Sequence, residues 1–493
     1  MRSLRVLSNG VMWQPWGSAA FARAGNERKP VLLSIATEWC GSCEKMDRTS
    51  YADPDIVALI NDRFVPVRVD ADDRPDISER YSLGGWPTTA FLTPAGEILT
   101  GATFVPLDRM RGVLTRVAEA YSTQPERTAA ANGRSPDVAA TSPLSEAELT
   151  TQIFALFDDD QGGFGDEPKF PFAAPIRLAL ELFAESHDAS HERIVVAALD
   201  RMGWGGLYDS VDGGFFRYAA TRDWQQPHVE KLLDLNAVLT RVYLEAGEQL
   251  HVARFTERAA DTLRYLQTWL ADPVDGGWFG SQRADDAYYA ADTPDARRLV
   301  QAPPVARSLY ADSNAAMVST ALVAARVFSD DGLCQFAVKS LERLLMACYR
   351  PGFGVAHGYD GQPRTRGLLA DQFAMADACL DVFDLTGNIV YEMMAEELAQ
   401  YAIRVMWDEN GGGFLDRARD DQEPPIGLLN QPLKPFVANC EASRTLRRLA
   451  DASGESEFAR AASRTLEAMA TVAPSQGPLA AHYVLAMRPV ASR

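Results

Sequence analysis

The sequence contains little histidine, little cysteine and no excess of basic residues. Among its 493 residues only six are histidine and six are cysteine, and the formal net charge is −19. Proteins that bind nucleic acid concentrate lysine and arginine against phosphate, so this charge argues against such a partner. No apolar run approaches the roughly 20 residues that cross a bilayer, and residues 1–10 lack the apolar segment of a secretory signal. We therefore expect a cytoplasmic protein with neither a membrane nor a nucleic-acid partner.

The length of the chain predicts more than one domain, because a single hydrophobic core rarely serves 493 residues. Residues 122–142 contain Ser, Thr, Pro, Ala, Asn, Gly and Arg with almost no large apolar residue, which is typical of a linker. Ser145 and Glu148 then form a capping box ahead of an apolar helical pattern. We predict a first domain over residues 1–121, a linker over 122–144 and a second domain over 145–493.

Two cysteines lie close together, Cys40 and Cys43, between an apolar run and a predicted helix. The run over residues 31–36 predicts a buried strand, and the helix is expected to begin near Cys43. The start of a helix favours a thiolate, because unpaired N–H groups and the positive end of the helix dipole face it. We predict that Cys40 is the exposed nucleophile and that Cys43 resolves the mixed disulfide.

A Cys-x-x-Cys pair also supplies half of a tetrahedral zinc site. The other four cysteines, however, are isolated from one another: Cys334, Cys348, Cys379 and Cys440. A redox dithiol is therefore favoured over zinc, and we expect neither a metal ion nor a bound cofactor.

Three motifs resemble thioredoxin over about the first hundred residues. They are Trp-Cys-Gly-Ser-Cys at 39–43, a strand that ends in Val69-Asp70, and Trp86-Pro87-Thr88 before an apolar strand. The resemblance implies a thioredoxin-like fold in which Pro87 follows a cis peptide bond. It also implies that Trp39, Trp86 and Pro87 line the groove for a substrate disulfide. Thioredoxins carry a buried carboxylate where this strand has Ser34, so the proton acceptor for Cys43 is not identified.

The second domain alternates helical patterns with loops that pair two glycines with an aromatic or apolar residue. These loops recur mostly at steps of roughly 50 to 75 residues, and Gly205 and Gly213 form a doubled site. These loops are Gly162-Gly-Phe164, Gly205-Gly-Leu207, Gly213-Gly-Phe215, Gly276-Gly-Trp278 and Gly412-Gly-Phe414, with Gly352-Phe-Gly354 as a variant. The predicted helices span residues 145–157, 173–186, 190–203, 228–247, 252–271, 312–329, 332–348, 368–386, 390–407, 436–451, 454–471 and 478–487. Twelve helices in consecutive pairs predict an (α/α)6 toroid, and an open superhelix is the alternative.

Motifs along nearly the whole chain resemble the family in which a thioredoxin-like domain precedes a six-hairpin glycosidase-like domain, known as the spermatogenesis-associated thioredoxin-domain proteins. The motifs are Trp16-Gly-Ser-Ala-Ala-Phe21, residues 29–35, residues 84–94, Pro168-Lys-Phe-Pro171, Gly213-Gly-Phe-Phe-Arg-Tyr218 and Pro227-His-Val-Glu-Lys-Leu232. Members usually carry Cys-His-x-Cys-His, whereas Cys40-Gly-Ser-Cys-Glu44 is closer to thioredoxin. The second domain is also shorter than is usual in the family.

Toroids of glycosidases and sugar epimerases resemble the predicted second domain, which implies paired carboxylates or histidines at the lumen. The candidates that we derive are Asp209, Asp212, Arg217, His228, Glu230, Lys231, Asp234, Asp312, Asp371 and Glu441. Pro227 at a first helical turn would place His228 and Lys231 one turn apart. A carboxylate on a helix surface is more often solvated than catalytic, and a lone histidine more often holds structure. Six histidines in all give little support to a multi-histidine epimerase mechanism.

Together these patterns predict a thiol–disulfide oxidoreductase that uses Cys40 and Cys43. Its partners would be a disulfide-containing protein client or a reductase, and the toroid would bind the client, a carbohydrate or another small ligand. Two alternatives stay open. The toroid is a carbohydrate-active enzyme with an accessory thioredoxin domain, or it is a non-catalytic binding scaffold.

Overall fold

The structure, a computed structural model, describes residues 10–123, 142–418 and 424–489. The chain divides into two compact units, Met1–Asp137 with Arg419–Leu433 and Val138–Ala418 with Lys434–Arg493. Residues 124–141, which make up most of the predicted linker, lie outside the described ranges. The sequence did not indicate that residues 419–433 group with the first unit.

The first unit contains a five-stranded sheet between two layers of helices. Its strands are β1 Gln14–Pro15, β2 Val31–Ala36, β3 Val65–Asp70, β4 Thr88–Leu92 and β5 Ile98–Ala102, in the spatial order β1-β3-β2-β4-β5. Its helices are α1 Ser18–Glu27, α2 Gly41–Arg48, α3 Pro54–Arg63, α4 Pro75–Tyr81 and α5 Leu107–Thr123. Strands β1 and β2 run parallel to β3, whereas β4 is antiparallel to β2 and β5 to β4. This is the predicted thioredoxin-like fold.

Strand β2 is buried along its whole length because helices cover both faces of the sheet. Leu33 belongs to the core cluster that contains residues of α1 and α4, while Leu32 belongs to the cluster of α2, α3 and α5. Successive side chains point to opposite faces, so a strand that is covered on both sides is apolar without alternation. The carboxyl end of β2 leads directly to the two cysteines.

Residues 424–433 pack against α4 within the first unit. The backbone N–H of Leu428 donates to Tyr81 Oη at 2.8 Å, and the Tyr81 hydroxyl donates to the carbonyl of Gly96 at 2.7 Å. Arg80 donates to the carbonyls of Leu428 and Gln431, both at 3.0 Å. These bonds satisfy backbone groups of a segment that has little regular structure of its own.

All twelve predicted helices are present in the second unit among the described residues. They are α6 Glu146–Phe154, α7 Ala173–Ser186, α8 Ala189–Trp204, α9 Leu233–Gln249, α10 Ala253–Tyr265, α13 Ala311–Phe328, α14 Asp331–Cys348, α15 Leu369–Thr386, α16 Ile389–Met406, α17 Phe436–Ser453, α18 Ser456–Met469 and α19 Ala480–Met487, with a π-helical extension of α10 over Leu266–Leu270. Two short helices, α11 Asp286–Tyr289 and α12 Pro294–Arg298, lie in the connection between α10 and α13. None of the described helices is long and apolar enough to span a membrane.

Six helices form a closed inner ring, in the order α7, α9, α13, α15, α17 and α19, and α19 packs back against α7. Each inner helix packs against an outer partner, and α6 is the outer partner of α19. The ring is therefore an (α/α)6 toroid and not an open superhelix. The alanine-rich pattern of α13 suits this inner position, because most of its circumference is buried.

Short strands line one rim of the toroid, where the loops lead into the inner helices. They are β6 Tyr218–Ala219, β7 Pro227–His228, β8 Lys231–Leu232, β9 Ser281–Gln282, β10 Val305–Ala306, β11 Leu309–Tyr310, β12 Tyr349–Arg350, β13 Gly354–Tyr359 and β14 Pro363–Arg366. The prediction of a helix over 228–247 was wrong at its start. His228 pairs with Tyr218 and Lys231 pairs with Gln282, so α9 begins only at Leu233.

Four rim loops share one hydrogen-bond pattern, in which an aspartate precedes the glycine pair by four residues. These loops are Asp158–Phe164, Asp209–Phe215, Asp272–Trp278 and Asp408–Phe414. In each, the aspartate N–H donates to the carbonyl of the second glycine, and the first glycine N–H donates to the aspartate carbonyl, at 2.8–3.0 Å. Both glycines have positive φ, which a residue with a side chain rarely adopts.

Asparagine side chains of the inner helices form hydrogen bonds to the backbone of three of these loops. Asn236 Oδ1 accepts from the N–H of Phe215 at 2.7 Å, and its Nδ2 donates to the Phe215 carbonyl at 3.0 Å. Asn314 and Asn439 make the same pair of bonds to Trp278 and Phe414. The loops recognised from their glycines are thus repeats of one structural unit that ends in an inner helix.

Candidate functional site

The dithiol lies at the start of α2. Cys40 and Cys43 form a disulfide with Cα atoms 5.2 Å apart. Cys40 is the N-cap residue of α2, and its Sγ accepts a hydrogen bond from the N–H of Cys43 at 3.1 Å. Each cysteine is only 3% exposed. The prediction that the Cys40 side chain is exposed is therefore wrong for the disulfide form, whereas its predicted position at a helix start is confirmed.

Trp39 and Trp86 meet beside this helix start. Their ring centroids are 5.6 Å apart and the rings are nearly perpendicular. The indole N–H of Trp39 donates to Asp72 Oδ2 at 2.7 Å, which orients the ring. The peptide bond between Trp86 and Pro87 is cis, as the resemblance to thioredoxin implied. The structure thus brings together the tryptophans that the sequence assigned to a substrate groove.

Asp70 provides a buried carboxylate at the same edge of the sheet. It is the last residue of β3 and pairs in register with Ala36, four residues before Cys40. Burial raises its pKa well above the ordinary value, and the charges of Asp72, Asp73 and Glu38 raise it further. From the sequence, Ser34 was compared with the buried carboxylate of thioredoxin, and Asp70 at the end of β3 was not considered for that role.

In the toroid, Asp209, Asp212 and Lys231 form one ion network on the rim. Lys231 Nζ lies 2.7 Å from Asp209 Oδ2 and donates to the Gly213 carbonyl at 2.6 Å. Arg297 Nη1 contacts Asp209 at 2.7 Å and Asp212 at 2.9 Å. Burial lowers the pKa of Lys231 to about 8, although Asp209 opposes the shift. Arg297 was not among the candidates from the sequence, because it lies on α12, far along the chain from Asp209 and Asp212.

The contact between Lys231 and Asp209 recurs in the other loops of this type. Asp158 pairs with Lys169 at 2.6 Å, Asp272 with Arg343 at 2.9 Å and Asp408 with Lys434 at 2.6 Å. Arg343 and Lys434 also donate to the first glycine carbonyl of their loops, and Lys169 donates to the carbonyl of Gly165, directly after its loop. A contact that all four loops share indicates that Asp209 and Lys231 hold a loop closed.

His228, Arg217 and Glu230 surround a second, partly open position on the rim. Arg217 Nη2 lies 3.3 Å from Glu230 Oε1. The ring of Tyr218 stacks on the exposed His228 with centroids 4.3 Å apart. Burial lowers the pKa of His228 below its ordinary value, and Glu230 opposes the shift. His228 and Lys231 lie on separate strands and do not share a helix face.

Asp371 lies at the start of α15 together with residues from two other elements. It is fully buried, and its Oδ1 lies 2.9 Å from His357 Nδ1 on β13. Asp312, on the first turn of α13, completes the group. Burial raises the pKa of Asp371 and His357 opposes the shift. His357 was missed in the sequence, where nothing local separates it from the other histidines.

Ion pairs fill the ring toward the carboxyl ends of the inner helices. Arg241 on α9 approaches Asp381 on α15 at 4.0 Å, although α13 stands between these helices in the ring. Arg448 of α17 contacts Asp381 at 2.8 Å. The ion pair between α9 and α15 therefore reaches past α13 on the inner side of the ring.

Two of the tryptophans near the glycine loops are core residues. Trp224 and Trp278 are completely buried in the toroid core. The Trp224 indole N–H donates to the carbonyl of Gln161 at 3.0 Å. Such residues are inaccessible to a sugar ring.

Comparison with known proteins confirms the predicted resemblance. Residues 3–136 match the model of a family named Thioredox_DsbH and described as a protein of unknown function, DUF255. Spermatogenesis-associated protein 20 of Rattus norvegicus is 31% identical over 315 residues, which cover 57% of this chain and 40% of the relative. The Homo sapiens protein is 30% identical over 344 residues, 60% of this chain and 43% of the relative. The chain spans about two fifths of the length of these curated relatives.

Three further proteins are similar to parts of the chain. Protein disulfide isomerase-like 2-2 of Oryza sativa subsp. japonica is 32% identical over 79 residues, 15% of this chain and 21% of that protein. A D-mannose isomerase structure covers 66% of this chain and 84% of its own at 14% identity, with a TM-score of 0.53. The cellobiose 2-epimerase of Bacillus thermoamylovorans covers 65% and 86% at 11% identity, also with a TM-score of 0.53. At these identities the structural matches establish the toroid fold alone.

Proposed function

We propose that this protein is a thiol–disulfide oxidoreductase whose redox centre is the pair Cys40 and Cys43. The observation that carries the proposal is the disulfide at the first turn of α2, where Cys40 Sγ accepts the N–H of Cys43. When the disulfide is reduced, the same N–H and the helix dipole favour the thiolate of Cys40. A buried structural cysteine has no comparable source of activation.

The reaction begins with the reduced protein. The Cys40 thiolate attacks one sulfur of a client disulfide, a mixed disulfide forms, and the other client sulfur leaves as a thiolate. Cys43 loses its proton and attacks Cys40 Sγ, which releases the second client sulfur. The client gains two electrons and the protein becomes the Cys40–Cys43 disulfide. An external dithiol reductant returns it to the reduced state.

Asp70 is our candidate for the group that accepts the Cys43 proton. A base works best when its pKa lies near the operating pH, and burial beside other carboxylates moves the pKa of Asp70 upward from the ordinary aspartate value. Trp39 and Trp86 supply an aromatic surface on which the client backbone can dock, and Asp72 holds the Trp39 ring in place. The toroid would contribute by binding the client or a small ligand.

Trapping tests the proposal. The Cys43→Ser protein lacks the resolving thiol, so it should accumulate a mixed disulfide with a peptide disulfide substrate, visible as a mass increase at Cys40. The Cys40→Ser protein should form no adduct and should lose disulfide reductase activity. Cys334→Ser is the matched control, because Cys334 is a partly exposed free cysteine of the second unit, and it should behave as wild type. Full activity of Cys40→Ser would exclude the proposal.

The carbohydrate-active alternative has less support from the rim residues. Asp209 and Lys231, two of its candidates, are occupied in the contact that all four loops share. A toroid fold of this kind also occurs in proteins named as an isomerase and as an epimerase, but fold alone does not determine chemistry. A thermal shift induced by mannose or cellobiose would revive that alternative.

A further inference from the structure

Three side chains with metal-binding atoms converge at the amino ends of two neighbouring inner helices. Asp312 is the second residue of α13, Asp371 is the third residue of α15, and His357 lies on β13. Each offers one donor atom, and the three atoms all lie within 4.8 Å of one another. Strand β13 also pairs with β11, the strand that leads into α13, so the fold connects all three elements.

The carboxylate of Asp371 is only half satisfied. Its side chain has no solvent exposure, and Oδ1 lies 2.9 Å from His357 Nδ1. Oδ2 is buried and has no hydrogen-bond partner. Within the described ranges, Asp371 forms no ion pair with an arginine or lysine. Buried carboxylates are normally paired, hydrogen-bonded or bound to a metal ion, so this oxygen lacks a partner that the cluster is shaped to receive.

We propose that Asp312, His357 and Asp371 bind a divalent first-row transition-metal ion. One imidazole with two carboxylates and no thiolate is a donor set suited to Mn²⁺ or Zn²⁺. Two ligand atoms that bind such an ion at about 2.1 Å and at right angles lie about 3 Å apart, and His357 Nδ1 and Asp371 Oδ1 already have this spacing. With Asp371 as a bidentate ligand, its unpartnered Oδ2 would bind the same ion. Asp312 is partly exposed, and rotation of its side chain would bring its oxygen inward.

A second histidine–carboxylate pair in the same ring provides the internal comparison. His482 Nδ1 lies 2.7 Å from Glu441 Oε1. Arg444 and Arg177 act on the Glu441 carboxylate. Among residues 10–123, 142–418 and 424–489, this pair has no second acid within the distance that groups Asp312 with Asp371. The pair of His357 and Asp371 therefore has a third donor nearby, the Asp312 carboxylate. The pair of His482 and Glu441 has arginines nearby instead, whose positive charge compensates the carboxylate.

The experiment uses the full-length protein, stripped of metal and with its dithiol blocked by Cys40→Ser and Cys43→Ser, because a pair of thiolates also binds zinc. Mn²⁺ is titrated under electron paramagnetic resonance, and Zn²⁺ is titrated by calorimetry. We expect one ion per chain, a rise in melting temperature on binding, and affinity lowered at least about tenfold in Asp371→Asn. Glu441→Gln, the matched control, should bind as wild type does.

Asp312→Asn is the second test variant, because the partly exposed Asp312 tolerates a change even if Asp371→Asn fails to fold. It should also lower the affinity at least about tenfold. The proposal is overturned if neither ion saturates the wild-type protein at one per chain. It is equally overturned if Asp312→Asn, with wild-type circular dichroism, binds as tightly as wild type. Because the dithiol is blocked throughout, neither outcome depends on the proposed redox function.

Discussion

Lys231 Nζ donates to Asp209 Oδ2 at 2.7 Å in a position where neither side chain is more than 2% exposed. The same contact closes three other loops of the toroid rim, so its role is first structural. Removing one partner of a buried ion pair leaves an uncompensated charge, whereas a pair open to water contributes little. The difference in stability between breaking a buried and an exposed pair therefore tests the structural role of these rim contacts.

Lys231→Met should therefore lower the free energy of unfolding by about 3 kcal/mol, the lower end of the range for breaking a buried ion pair. The lower end applies because Arg297 still contacts Asp209 in the variant. Lys434→Met is the matched change in the loop of Asp408, where both side chains are about a quarter to a third exposed, and it should cost about 1 kcal/mol or less. Urea denaturation followed by circular dichroism measures both. Equal losses would contradict a role for burial.

Asp70→Asn should slow the release of client from the mixed disulfide by about 100-fold. This is the lower end of the rate contribution that a general base usually makes. The rate of that step is measured by stopped-flow with a fluorescent peptide disulfide across a pH series. Asp55→Asn changes an exposed carboxylate of the same unit and should leave the rate unaltered. An unaltered pH profile in Asp70→Asn would show that another group accepts the proton.

The same substitution should stabilise the protein at neutral pH. Burial raises the folded-state pKa of Asp70, so the unfolded chain ionises first as pH rises above the ordinary value of 3.8, and wild-type stability falls from there toward the folded pKa. Asp70→Asn lacks this loss. Its melting temperature should exceed that of wild type at pH 7 and approach it at pH 4. A constant difference would indicate a change in packing instead.

Tyr81→Phe should destabilise the first unit by about 1–3 kcal/mol, because it leaves the Leu428 N–H and the Gly96 carbonyl without their partner. Tyr121→Phe is the control, since the described residues show no hydrogen bond at the Tyr121 hydroxyl, and it should be nearly neutral. Chemical denaturation followed by hydrogen–deuterium exchange of peptides from residues 10–123 reports on this unit, whereas five of the nine tryptophans lie in the second unit. If both variants unfold alike, residues 424–433 do not contribute to its stability.

Glu441→Gln should weaken the acid sensitivity of the toroid. Burial by itself raises the pKa of Glu441, but the His482 hydrogen bond and nearby arginines lower it to about 2, below the ordinary 4.5. A depressed carboxyl pKa contributes stability that is complete above 4.5 and is lost as pH falls toward 2. Thermal melts across this window should show a steeper decline for wild type than for the variant. Parallel declines would contradict the pairing.

Much of the secondary structure could be predicted because local chemistry sets it. The capping box of Ser145 and Glu148 starts α6 as expected, and the apolar run of β2 is the signature of a strand covered on both faces. The cysteines follow that strand and begin a helix, so their position at a helix start could also be predicted. Pairs of helices separated by glycine loops indicated the toroid, since positive φ at those glycines is a local requirement.

Other features depended on contacts between residues distant in the chain. Pro227 looked like the first turn of a helix, but pairing of Lys231 with Gln282 holds the segment extended. His357 became a candidate ligand only because β13 places it within 2.9 Å of Asp371 in the folded protein. The association of residues 424–433 with α4 likewise rests on hydrogen bonds that span more than 340 positions. The sequence by itself determined the helices, the strands and the dithiol, because backbone preferences and caps are local. Only the tertiary structure decided which buried charges meet, since strand pairing and ring closure set those distances.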